Sequence, residues 1–160
     1  MRRIYWLYLV SMALFVSGIG FLVVSARTRE PAQAQVPIVT PVATVKQIMQ
    51  GIVDPATNVV FGAVSTTSTT AGIVEKAPKT DQEWAVVGNS AAALVESGNL
   101  LLMGNRAVDA GDWVKMSRAL MNAAVVTLKA VEAKDKDALL ASGEAINTSC
   151  DNCHLKYQRQ

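Results

Sequence analysis

The sequence predicts an all-α fold: an N-terminal transmembrane or signal helix, then an antiparallel up-down-up-down four-helix bundle. Three observations lead there. Apolar residues recur at steps of three and four along four separate stretches, the period of a helix with one buried face. Helix-start signals stand in front of these stretches, and the connections between them are short. Ahead of them all, Ile4 to Val24 runs without a charge. The chain therefore divides into a signal anchor or signal peptide (1–26), an extended tether (27–40) and a helical domain (41–160).

The 21 residues from Ile4 to Val24 match the ~20 that span a bilayer and exceed the ~7–15 of a signal h-region. An uncleaved signal anchor is expected, with cleavage after Ala32-Gln33-Ala34 as the alternative. Arg2 and Arg3 favour a cytoplasmic start that exports the rest, whereas Arg27 and Arg29 on the far side oppose it. The stretch from Arg27 to Pro41 carries Pro31, Pro37 and Pro41 with Gln, Ala and Thr. Without a period and with several breakers, it reads as a tether.

Thr40-Pro41 suggests an N-cap followed by Pro at the first helical position. The first stripe then takes Val42, Val45, Met49, Ile52, Ala56, Val59 and Ala63. Pro55 removes a backbone donor and crowds the carbonyl of Gly51, which predicts a kink near Val53. Ser65 to Thr70 ends the helix in a polar loop running to Lys79. The capping box Thr80-x-x-Glu83 opens the second helix, whose buried face is Trp84, Val87, Ala91, Leu94, Val95, Gly98, Leu101 and Leu102. After a loop from Gly104 to Gly111, the third begins near Asp109 or Asp112, lined by Trp113, Met116, Leu120, Ala124, Leu128 and Val131. Trp84 and Trp113 are expected to anchor the core. Lys134 to Asp137 is a charged corner. Asp135 caps the fourth helix, where Leu139, Ser142, Ile146, Cys150, Cys153 and Tyr157 share a side. No strand and no internal repeat is expected.

Composition narrows the function. Of the 160 residues 51% are apolar but only 6% aromatic, so the core is built of small side chains that allow close helix packing. The formal net charge is +2, yet Arg2, Arg3, Arg27 and Arg29 flank the N-terminal run. From Thr40 onward 11 Lys and Arg face 12 Asp and Glu, so the domain offers no basic surface for nucleic acid.

The chemistry concentrates in Cys150-Asp151-Asn152-Cys153-His154. The chain has two Cys and one His, and all three sit here. The pattern C-x-x-C-H is the attachment signature of a c-type haem: each thiol adds to a vinyl group and the imidazole binds the iron. On a helix, positions i, i+3 and i+4 share one face, so the three side chains can meet one flat ligand. A redox dithiol usually opens a helix after a strand, and none precedes this one. A zinc site needs four ligands, and three are present. Because such haem is attached outside the cytoplasmic membrane, the domain is expected on the periplasmic side.

The other axial position is open to several methionines. In an antiparallel bundle the end of the fourth helix lies beside the start of the first, so His154 and Met49 fall at similar depths. Met49 stands eight residues into that helix, roughly 12 Å at ~1.5 Å per residue. Met103 and Met116 belong to the same end. Spacing does not choose among them, and Met is also a common filler of irregular cores.

With the signature at its C-terminal end and a helical body upstream, the stretch from Val42 to Tyr157 resembles the class II c-type cytochromes, the cytochrome c′ family. Tyr157, three residues past the His, fits that family's C-H-x-x-Y ending. The basic residue that usually follows is replaced by Gln158, with Arg159 one step later. The resemblance implies one haem c (iron) per chain, His154 as proximal ligand and, as in the low-spin members, a Met from the first helix, here Met49, as distal ligand. It implies an electron carrier, with redox proteins as partners, and a homodimer through the first two helices; the membrane is reached through the N-terminal helix, as the length of its uncharged run suggests. High-spin members imply the alternative, a five-coordinate haem that binds NO or CO. With no second His and no Arg placed by a motif to assist O–O cleavage, an enzyme such as a peroxidase is not expected.

Overall fold

The computed structural model describes residues 2–27 and 40–158. The tether residues 28–39, the Ala32-Gln33-Ala34 cleavage signal and Arg159 lie outside the described residues. The chain divides into two compact units, residues 1–38 and 39–160. The first contains α1 (Arg2–Arg27), 26 residues long. At ~1.5 Å per residue this is roughly 39 Å, longer than the ~30 Å hydrocarbon core of a bilayer. Its side chains from Ile4 to Val16 are exposed.

The second unit is mostly helical. It opens with α2 (Val45–Ile48), a π turn (Met49–Val53) and α3 (Asp54–Phe61). The start is four residues later than the sequence suggested, because Thr44 rather than Thr40 is the cap. Thr44 and Gln47 form a reciprocal capping box, Gln47 N–H donating to Thr44 Oγ1 at 3.2 Å and Thr44 N–H to Gln47 Oε1 at 2.9 Å. Two orphan donors are satisfied at once, which Thr40-Pro41 does not offer.

The expected kink is a π turn. Asp54 N–H reaches back five residues to Met49 O, and the wider turn precedes Pro55, whose ring would crowd a carbonyl four residues back. The extra residue shifts the buried face. Ile48 and Val53, five apart, are buried, followed by Ala56, Val60 and Ala63. Met49 and Ile52 are half-buried, Val42 is 92% exposed and Val59 is exposed. A uniform step of three and four misassigned this stripe.

The segment after α3 also departs from expectation: it holds two strands, β1 (Ser65–Thr69) and β2 (Gly72–Lys76), paired antiparallel with Thr67 opposite Val74. The Ser/Thr run that resembles a polar loop is rich in β-branched residues, which suit an extended backbone. Gly72 takes φ +125° just past the turn, and Thr69 Oγ1 donates to its carbonyl at 2.8 Å. All ten strand residues are exposed. An isolated hairpin is marginal in water, so its ties to the body matter: Lys76 Nζ donates to Gly62 O at 2.6 Å, and Lys136 pairs with Glu75 at 2.8 Å.

Three long helices complete the unit: α4 (Asp81–Leu102), α5 (Asp112–Glu132) and α6 (Lys136–Tyr157). The Thr80–Glu83 capping box forms as read. Asp135 caps α6, accepting from the N–H groups of Asp137 and Ala138. Between α5 and α6 the chain turns on Lys134 at φ 52°, with Asp135 N–H on Ala130 O and Lys134 N–H on Val131 O. This pair of bonds is a Schellman closure.

Helix α4 packs on α5, α5 on α6, and α3 on both α4 and α6. Ala91, Leu94, Ala124, Ile146 and Ile48 sit at the centre, each 1% exposed or less, and Trp84 and Trp113 are buried. Small residues set the spacing: a Cβ on Gly98 would lie 2.2 Å from Met121 Cγ. Buried hydroxyls are absorbed locally, Ser97 Oγ donating to Leu94 O and Ser149 Oγ to Ile146 O, both at 2.7 Å. Across α5 and α6, the hydroxyls of Thr127 and Ser142 meet at 2.9 Å. Among the described residues α4 is long and apolar enough to cross a membrane. Its place against α5 and α3, with Ala91 and Leu94 fully covered, makes it a helix of the body.

Candidate cofactor site

Cys150, Cys153 and His154 lie in the last two turns of α6. Both thiols are free and half-buried, and His154 is exposed. Their side of α6 borders a small cavity of about 40 Å³. From the first body helix Met49 and Val53 reach it, from α4 Leu101, and from α5 Met116, Ser117 and Leu120. The structure therefore brings together Cys150, Cys153, His154 and Met49. Met116 shares the wall, whereas Met103 caps the end of α4 and is not part of it. On its outer side His154 also edges an open surface depression with Asp151, Leu155 and Gln158.

The donor set fits a covalently held haem. Two thiols and an imidazole occupy one helix face, Met49 and Met116 line the same cavity, and its walls are largely apolar. The closed space itself admits only two or three waters. Seating a macrocycle requires the walls to part, and the half-buried, unbranched Met49 and Met116 are the side chains best able to yield. Among the described residues no three Cys, His, Asp or Glu side chains converge on a bare metal ion. A macrocycle that supplies its own four nitrogens asks for axial ligands alone.

Electrostatics argue against a redox dithiol. Reactive C-x-x-C thiols have lowered pKa values at helix N-termini. Here they lie near a C-terminus, the negative end of the helix dipole. Burial pushes the Cys150 thiol up, Ser149 pulling part of it back by a hydrogen bond and Asp151 adding to the rise. Burial, and then the neighbouring Cys150, raises Cys153. Both shifts disfavour the thiolate that a redox dithiol needs.

The end of α6 is tied down by contacts between distant residues that the sequence did not reveal. Tyr157 Oη donates to Asp109 Oδ2, and Asp109 Oδ1 accepts from the N–H groups of Gly111 at 2.8 Å and Trp113 at 3.1 Å. The Tyr157 ring meets Trp113 edge-on, 5.0 Å between centroids. Trp113 Nε1 donates to Leu101 O at 2.9 Å, and Lys156 pairs with Asp112 at 2.5 Å. Arg106 joins the same end to the start of α2, its guanidinium donating to Ala43 O and Leu100 O at 2.9 and 3.0 Å. Asp109-x-Gly111 reads locally as a turn, but nothing in the sequence links it to Tyr157, 48 residues away.

The Tyr157 hydroxyl, then the Trp113 N–H, hold the Asp109 carboxyl below its ordinary 3.8. Backbone N–H groups of Lys79 and Thr80 lower Glu83, and the bond to Lys134 lowers Asp81. A carboxyl depressed in the folded state stabilises it fully above the unfolded value and loses that contribution as pH falls through the folded one. Urea midpoints are therefore expected to be flat at neutral pH and to fall below about pH 4. Asp109→Asn should flatten that acid limb.

No family model, no curated protein and no solved structure matches this chain at a significant level.

Proposed function

We propose that this chain is a membrane-anchored c-type cytochrome that carries electrons on the periplasmic side. The observation that carries the reading is the convergence of Cys150, Cys153 and His154 on one cavity that Met49 and Met116 also line. Cys150 and Cys153 would hold the macrocycle as thioethers, with His154 as the proximal and Met49 as the distal ligand. When bound, the haem supplies a one-electron couple whose potential Met/His ligation raises. The chain's own residues would hold the group: the two cysteines by their sulfurs, His154 and Met49 as iron ligands, with Val53, Leu101 and Leu120 supplying apolar wall.

The body is read as a four-helix bundle in which α2, the π turn and α3 form one broken helix. The contacts of α3 with both α4 and α6 support this. Helix α1 is the anchor, and tethering raises the local concentration of membrane-bound redox partners. A homodimer rests on the resemblance alone.

The test is an absorption spectrum of the purified protein, oxidised and reduced. The reading expects low-spin bands and a far-red charge-transfer band from a thioether on ferric iron. High-spin bands would instead assign the open-sited, NO- or CO-binding alternative.

A further inference from the structure

Helix ends fray unless something ties them, and His154 stands one turn from the end of α6. Its imidazole makes no hydrogen bond among the described residues. Iron-binding histidines are commonly oriented by a partner on the second ring nitrogen. Here the backbone must do that work.

One contact set is placed to do it. Asp109 receives the Tyr157 hydroxyl and, on its other oxygen, the N–H groups of Gly111 and Trp113. A single carboxylate thus joins the start of α5 to the last turn of α6. The Trp113 ring backs Tyr157, and Trp113 is itself held by Leu101 O. Tyr157 and His154 lie three residues apart on neighbouring lines of the helix, so fixing one fixes the backbone that carries the other.

We infer that Asp109 is a positioning residue for His154, acting through the Tyr157 hydroxyl to hold the final turn of α6 and so the imidazole it presents. This rests on the reading of His154 as the proximal ligand. The ion pair of Lys156 with Asp112 runs alongside, but both side chains are about half exposed. Exposed pairs contribute little, so the charge-assisted bond at Asp109 dominates.

Native-state amide exchange on the full protein, with the reduction potential of the haem-loaded form, tests the assignment. Asp109→Ala removes both the cap of α5 and the bond to Tyr157. Tyr157→Phe removes the hydroxyl alone, keeps the ring on Trp113, and carries the test if Asp109→Ala does not fold. Both variants are expected to speed exchange from His154 to Gln158 by about tenfold or more, with the centres of α4 and α5 unchanged, and to shift the reduction potential of the haem-loaded form. The inference is overturned if Tyr157→Phe leaves exchange at that turn unaltered, because Asp109 is then a cap for α5 and nothing more. An unmoved reduction potential in a haem-loaded variant overturns it too. Failure of the haem reading is distinguishable: it appears as missing mass, while exchange still reports whether the turn is held.

Discussion

Met49→Leu is expected to turn a low-spin haem into a high-spin one, abolish the far-red charge-transfer band and lower the reduction potential. Leucine keeps nearly the same volume, so the cost in stability should stay below ~1.5 kcal/mol. The sulfur is the part removed. Axial ligation moves haem potentials over about 0.8 V, and loss of one thioether should shift this one by on the order of 0.1 V or more. The rival sulfur supplies the control, since Met116 borders the same cavity from α5. Met116→Leu should leave the spectrum low-spin. The reverse pattern would transfer the distal role to Met116, and no effect from either would mean an open distal side.

Trp113→Ala should be the most destabilising single change in the body. The side chain is 5% exposed, bonds Leu101 O through its indole N–H and braces Tyr157. Removing it leaves a cavity and strands a carbonyl, at a cost of ~3–5 kcal/mol. For a domain of this size that is a fall in Tm of roughly 10–20 °C, readable by far-UV circular dichroism. Trp113→Phe retains most of the packing and loses the N–H bond, so about 1–2 kcal/mol is expected. The gap between the two variants separates packing from hydrogen bonding.

These sites differ in how they could be read beforehand. The three long helices announced themselves, because Thr80 with Glu83 and Asp135 are local signals and apolar steps of three and four persist without interruption. The first body helix was harder. Its capping box uses Gln47, a quieter partner than the Pro at position 41, and the π turn adds a residue that breaks strict periodicity between Ile48 and Val53. The hairpin was hidden by composition, since Ser and Thr serve turns and strands alike, and its pairing depends on Gly72 and on distant ties to Gly62 and α6. Within the site, Cys150, Cys153 and His154 were legible because their spacing is itself the chemistry. Asp109 was not, because its partner is brought near only by the packing of α5 on α6.

The central claim is that α6 carries a covalently bound porphyrin, and the intact mass of the purified chain under denaturing conditions tests it most directly. The account predicts the mass of the polypeptide plus one haem, with a coloured product that loses both colour and added mass in the Cys150→Ala, Cys153→Ala double variant. A colourless chain whose mass is that of its amino acids alone, isolated from cells competent to attach haem, would contradict it.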